Sequence, residues 1–490
     1  MTSTPPVLQE LPDEHPPAPP PPAPDRPSGW AALQPLLLRL HFYAGVLVGP
    51  FLLVAATTGL LYAFTPQLEA VVHRHELTVD AVGTTPLPLA EQVAAARAEH
   101  PDGTVTQVQP AAAPDGTTRV VLASEDVPAG RDLTVFVDPY TAEVRGALPT
   151  FAGFLPVRAT IDDLHRNLLL GEPGRVYSEL AASWLWVVVL GGVAMWVARS
   201  ARRGRWRRLV VPERGRAGRR RTLSWHGVVG LVAALGLLAL SVTGLTWSAR
   251  AGANVGELRA AWGWSTAYVD TTLPGAAAGE HDAHAAHGGG AGGTDDAAAD
   301  DVDAVLTAGV GVDGVLATAR TEGLRAPVRL TPPAETGQAW TAAEPGEGWP
   351  TRADVIAVDG ADGSVVDRVD FADQSVPAKL AHWGIQAHMG SLFGLVNQLL
   401  LAGLALALIT LVVLGYRMWW QRRPTRQASG PGPWLRPGAL RAAPRWLAAL
   451  LLVAAAAVGW VVPLFGVPLL VFLAVDALVA ARARRRAAAR

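Results

Sequence analysis

The 490-residue chain contains no cysteine. That excludes disulfides, thiolate zinc sites, iron–sulfur clusters and covalently attached c-type haem, so any metal or cofactor must be held by His, Met, carboxylate or backbone. Phosphate-binding and hydrolytic signatures are missing as well. The Gly-rich tract Gly288–Gly293 is not followed by the Lys-Ser/Thr of a phosphate loop, and there is no dinucleotide fingerprint and no Ser/His/Asp constellation. The third lack is local: long stretches carry no charge.

Half of the residues are hydrophobic, and four uncharged runs reach or approach the length of a membrane span: Phe42–Phe64, Leu180–Val197, Gly227–Trp247 and Leu392–Tyr416. About 20 helical residues at roughly 1.5 Å each cross a hydrocarbon core. The second run is short, with Tyr177 and Trp196 near its ends as interfacial anchors. A fifth apolar region, Trp446–Ala481, is too long for one span, is interrupted by Pro463 and Pro468, and has arginines on both flanks. It reads as a hairpin of two further spans, giving six membrane segments.

The net charge of −1 conceals segregation. Arg199–Arg221, between the second and third spans, holds eleven arginines against the single acid Glu213, and Arg417, Arg422, Arg423 and Arg426 follow the fourth. The connections after the first and third spans are acidic. The positive-inside rule puts the arginine loops and both termini in the cytoplasm of a bacterial inner membrane, and the two long loops outside. The arginine run is read as a topology determinant that also meets anionic lipid, so no nucleic-acid partner is expected. Residues 1–29 are proline-rich without an apolar signal core and read as a disordered cytoplasmic lead.

Repeats decide the architecture. From His41, Gly45 lies at +4, Thr58 at +17 and Gly59 at +18; from His226, Gly230, Thr243 and Gly244 fall at the same offsets. His165 is followed by Gly171 at +6 and Trp196 at +31, and His388 by Gly394 and Trp419 at +6 and +31. The expected fold is therefore a polytopic α-helical membrane protein with a duplicated two-span unit. Its segments are a first span within 30–65, an external domain at 80–150, a histidine segment and second span at 160–199, a basic loop at 200–222, a third span at 223–248, a low-complexity linker at 275–301, a second external domain at 302–371, a histidine segment and fourth span at 380–420, and the hairpin at 446–481. The external domains read as small α+β units. Leu89–His100 has helical spacing, strands are predicted at Val105–Gln109, Arg119–Ala123 and Thr134–Val137, and Asp138 and Asp359 open matching strand turns.

At helical geometry, offsets of +4 and +18 lie within about 40° of the starting residue. His41, Gly45 and Gly59 thus share a stripe, as do His226, Gly230 and Gly244, with Thr58 and Thr243 to the side. A histidine beside bare backbone suits a flat macrocycle with imidazole on its metal, although glycine stripes also pack helix on helix. His382 lies six residues before His388 and is an alternative to it. His73 and His75 have no counterparts in the second half and read as interfacial polar groups. His281, His284 and His287 fall in the linker and read as solvated spacer.

Leu-His-x3-Gly opening a span, Thr-Gly near its end, Val135-Phe-Val-Asp-Pro-Tyr-Thr-Ala-Glu-Val and Asp163-Leu-His-Arg-Asn-Leu-Leu-Leu-Gly together resemble the PepSY-associated transmembrane family over about residues 30–425. This family is also described as iron-regulated or iron-uptake membrane proteins. The resemblance implies a four-helix core, PepSY domains outside, b-type haem in some members and reduction of ferric siderophores. By matching positions it implies haem ligation by His41, His226, His165 and His388. Arg39 and Arg166, each beside one of these, are candidates to pair with haem propionates. The expected protein is an electron conduit with two haems b and a ferric iron or ferric siderophore acceptor outside. Its electron donor is unidentified: a quinol, a partner reductase or a soluble reductant. The rival is a membrane-anchored PepSY binding or regulatory module without redox activity. A twofold axis along the membrane normal pairs like positions at one depth, His41 with His226 and His165 with His388.

Reporter fusions test the topology. Those at Gly215 and Gly430 should read cytoplasmic and those at Gly116 and Gly290 external; an external reading at Gly215 would overturn the orientation. Deleting Ala276–Ala299 should leave expression and cofactor content unchanged, and a loss of haem or of metal-dependent activity would give the linker histidines a role.

Overall fold

The computed structural model describes residues 30–202, 206–215, 217–275, 306–421 and 444–488. The proline-rich lead, the linker with His281, His284 and His287, and Arg422, Arg423 and Arg426 lie outside the described residues.

Five helices are long and apolar enough to cross a membrane: α1 (Trp30–Tyr62), α6 (Glu172–Ala201), α7 (Gly218–Leu245), α11 (Gly394–Trp420) and α13 (Pro463–Ala488). The expected C-terminal hairpin contains one of these five. Its other arm, α12 (Arg445–Val461), is a shorter apolar helix of 17 residues. The break falls at Val462–Pro463, where a proline at the start of α13 costs no helical hydrogen bond, and Pro468 stays inside the helix. Gly459 and Gly466 touch across the turn; a Cβ on Gly466 would lie 2.7 Å from the Gly459 Cα.

In the bundle α1 and α7 each pack against both α6 and α11. Val48, Leu52, Trp184 and Leu185 are buried there, and Phe465 and Leu469 of α13 join the same cluster. The indole of Trp184 donates to the Leu464 carbonyl at 3.1 Å. Deeper along α13, Asp476 forms an ion pair with Arg39 of α1, both side chains less than a tenth exposed.

Two short helices, α5 (Pro156–Asn167) and α10 (Val376–Met389), carry His165 and His388 against the outer ends of the spans. Each starts with a proline at one of its first two positions and ends in a left-handed residue, Leu168 and Gly390. The chain then enters α6 and α11 through Gly171 and Gly394, both at positive φ (63° and 53°), where a side chain would be strained.

Outside the membrane helices lies one eight-stranded antiparallel sheet rather than two separate ones. Its strands are β1 (Thr104–Gln109), β2 (Thr118–Ala123), β3 (Asp132–Val137), β4 (Val144–Thr150), β5 (Arg329–Thr331), β6 (Trp340–Ala343), β7 (Val355–Val358) and β8 (Val365–Val369), in the order β4-β3-β2-β1-β5-β6-β7-β8. The two four-stranded parts meet at Val108 opposite Leu330. Helices α4 (Leu89–Glu99) and α9 (Gly311–Thr321) contribute to the sheet's core, which buries Val120, Leu122, Val135, Leu330, Trp340 and Ile356. Asp313 of α9 accepts the backbone N–H groups of Leu89 and Ala90 at 2.6 and 3.0 Å, so one part caps a helix of the other. The predicted turns form: Asp138 accepts from the Tyr140 N–H and Asp359 from the Ala361 N–H, both at 2.8 Å.

Removing one partner of a buried ion pair strands a charge at a cost of about 3–5 kcal/mol, whereas replacing both is close to neutral. Asp476→Leu should therefore lower the thermal midpoint of the detergent-solubilised protein markedly, and Arg39→Leu combined with it should recover most of the loss. A double variant as unstable as the single one would refute the pairing.

Candidate functional site

Two pairs of histidines converge in the bundle. His41 of α1 and His226 of α7 come from helices that do not neighbour each other around it, and their ring centres are 6.2 Å apart with planes at 85°. The Nδ1–H of His41 donates to the Val188 carbonyl of α6 at 2.8 Å, which turns Nε2 away from that wall. His226 faces the Leu411 carbonyl of α11, but no acceptor satisfies hydrogen-bond geometry and its Nδ1 is buried without a partner. Glycine makes room for the His41 ring, while that of His226 meets Gly415 at ordinary contact distance. A Cβ on Gly192 would come within 2.9 Å of His41 Cε1, and one on Gly415 within 3.9 Å of His226 Cε1. Gly192 lies 27 residues after His165 and Gly415 27 after His388; Val188 and Leu411 share an offset of 23. Those offsets were available in the sequence and passed unnoticed, because nothing local marks one glycine among several in an apolar run.

The second pair sits near the C-terminal ends of α1 and α7. His165 and His388 line one cavity of about 240 Å³ together with Gly59, Gly244, Tyr62 and Glu179. His165 Nδ1 lies 2.9 Å from the Thr58 hydroxyl, and His388 Nδ1 2.7 Å from that of Thr243. Gly59 and Gly244 present bare backbone to these rings: an added Cβ would stand 3.6 Å from His165 Cε1 and 3.5 Å from His388 Cε1. Burial holds the His165 imidazole below the usual histidine range. Burial and then the neighbouring His165 push His388 down to about 4. Both rings are thus neutral near pH 7, with one nitrogen lone pair each.

The stripe expected on each histidine's own helix is redistributed. Gly59 and Gly244 face the outer histidines, the His41 ring rests on Gly192 of another helix, and a Cβ on Gly45 would meet nothing within 4 Å. The two threonines, expected to lie to the side, hold the outer rings.

Other candidates are placed elsewhere. Arg39, proposed for a propionate, is taken up by Asp476, with its guanidinium also 5.5 Å from the Phe472 ring. Arg166 reaches the cavity wall but pairs with Asp162 at 2.8 Å and Asp163 at 3.3 Å. His382, the alternative to His388, spends Nε2 on the Gly346 carbonyl at 2.9 Å and packs against Phe371, so it belongs with the external sheet. His75 accepts from Arg145 at 3.1 Å, and His73 lies 4.0 Å from Glu76.

One residue escaped the sequence reading. Glu179 lies one position before the predicted second span, yet inside α6 it is buried, and it accepts from the Ala251 N–H at 2.8 Å at the start of α8 (Ala251–Ala261). The boundary of an uncharged run hides a carboxylate that a helix N-terminus satisfies.

Among the described residues no group of three or more His, Asp or Glu is arranged to hold a metal ion. No curated protein matches the chain. The family model of the PepSY-associated TM region matches residues 38–422, most of the length including all four histidines, and the chain belongs to that family.

Proposed function

We propose that the protein conducts electrons outward across a bacterial inner membrane on two haems b, delivering them to ferric iron or a ferric siderophore. The observation that carries this reading is the approach of His41 and His226. Their ring centres stand 6.2 Å apart, a spacing at which both imidazoles would be able to hold one haem iron. The residues present fit such a group. Backbone at Gly192, Gly59 and Gly244 leaves space that side chains would fill, and Nδ1 of three of the four histidines is engaged by the protein, which leaves Nε2 for a ligand.

His41 and His226 would hold the inner haem, and His165 and His388 the outer. Haem, when bound, supplies reversible one-electron chemistry. The chain's residues do the rest. Helices α1, α6, α7 and α11 surround the inner pair, and the His41 ring is fixed by its bond to the Val188 carbonyl of α6. The outer pair lines a cavity among the helices that would be able to receive the outer haem. Arg175 also lines that cavity, is exposed, and has no ion-pair partner among the described residues; it suits a propionate better than Arg39 does. The electron donor is a quinol, a partner reductase or a soluble reductant. The equal offsets, now including Val188 with Leu411 and Gly192 with Gly415, favour descent of the two halves from one unit.

Visible spectroscopy tests the assignment. The purified protein should show a reducible b-type Soret and α-band. His41→Ala and His226→Ala should each remove the same component, about half of the low-spin absorbance, and His165→Ala and His388→Ala the other; His382→Ala should leave both. A colourless protein prepared with ample haem would sink the proposal. Loss of one shared component in His41→Ala and His165→Ala would sink the pairing.

A further inference from the structure

Thr58 and Thr243 occupy equivalent places, and their hydrogen bonds are more constrained than a distance to histidine suggests. A hydroxyl has one hydrogen and two lone pairs. The Thr58 oxygen stands 2.9 Å from the Val54 carbonyl and 3.1 Å from that of Ala55; the Thr243 oxygen stands 2.7 Å from the Ala239 carbonyl and 3.3 Å from that of Leu240. Carbonyls only accept, so each hydroxyl donates its hydrogen back into its own helix, the usual habit of helical threonine. What remains toward the imidazole is a lone pair. At 2.9 and 2.7 Å that lone pair must meet an N–H.

We infer that Thr58 and Thr243 are positioning residues that hold His165 and His388 as Nδ1–H tautomers, bare at Nε2, and that they set how strongly these two rings donate to the outer haem. This rests on the haem reading above. An acceptor on Nδ1–H raises the basicity of the opposite nitrogen, and a more basic axial ligand favours the oxidised metal. The inner pair has no such side chain. His41 donates to a backbone carbonyl, and His226 faces another, so side-chain substitution can tune the outer site without touching the inner. Donating a hydrogen to a carbonyl also polarises each hydroxyl, which strengthens it as an acceptor.

Valine keeps the shape of threonine and lacks the hydroxyl. Full-length Thr58→Val and Thr243→Val proteins, purified with haem, should be titrated potentiometrically at the α-band. The component that His165→Ala and His388→Ala abolish should move to higher potential. The component that depends on His41 and His226 should stay where it is, and serine at either position should restore the wild-type value. Should a valine variant fail to accumulate, alanine gives the same readout. Unchanged potentials in a haem-loaded protein, or equal shifts of both components, would overturn this inference alone. A wild-type protein without haem bands would overturn it together with the haem reading.

Discussion

Each histidine in this bundle meets a donor–acceptor constraint that the surrounding apolar helices make strict. A buried imidazole has one N–H and one lone pair to place, and leaving either unpaired is costly; Nδ1 of three of the four histidines is engaged and that of His226 is not. His41 gives its Nδ1–H to a carbonyl of the helix beside it, and Nδ1 of His165 and of His388 meets a threonine hydroxyl on α1 and α7. Once Nδ1 is used in this way, Nε2 is aimed at whatever fills the middle. Gly192 follows from the same packing, since a Cβ there would come within 2.9 Å of His41 Cε1.

Charges inside the bundle obey a similar economy. The carboxylate of Glu179 ends α8 by accepting backbone N–H groups at its start, and Arg250 lies 3.8 Å from it. Arg39 and Asp476 neutralise one another between the first and last membrane helices. The family match ends at residue 422, so the hairpin with Asp476 lies beyond the matched region. That hairpin is tied to the rest by the Arg39–Asp476 ion pair, the Trp184 indole on the Leu464 carbonyl, the Asn254 amide donating to the Trp460 and Val461 carbonyls at 3.2 and 3.0 Å, and the packing of Phe465 and Leu469. An isolated arginine at residue 39 would be costly in that setting, so the hairpin and the arginine belong together.

Much of this was legible in the residues. Uncharged runs located the four core helices, and arginine placement suggested their direction. Equal offsets from His41 and His226, and from His165 and His388, sorted the histidines into like positions. Strand alternation found β1 to β3 to within two residues at either end. Contacts between distant segments were not legible. The joining of two small sheets rests on Val108 meeting Leu330, across more than two hundred residues and with no local signature. The fate of Arg39 depended on a residue in a hairpin that periodicity treats as plain membrane span. Proximity in sequence made Arg39 and His382 look like parts of the sites, whereas helix rotation turns one to Asp476 and the other to Gly346. The threonines were visible, but period alone put them beside the stripe. Only the approach of α5 and α10 from outside shows what they hold.

The proposal that tests most sharply is that His41 and His226 would hold one haem, their ring planes standing at 85° in the structure. Electron paramagnetic resonance of the oxidised, full-length protein reads that geometry directly, because crossed axial imidazoles give a far more anisotropic low-spin ferric signal than parallel ones. With planes at 85°, the account predicts a strongly anisotropic low-spin signal that disappears in His41→Ala and persists in His165→Ala. A spectrum with no low-spin haem, or with only the signal of parallel imidazoles, would contradict it.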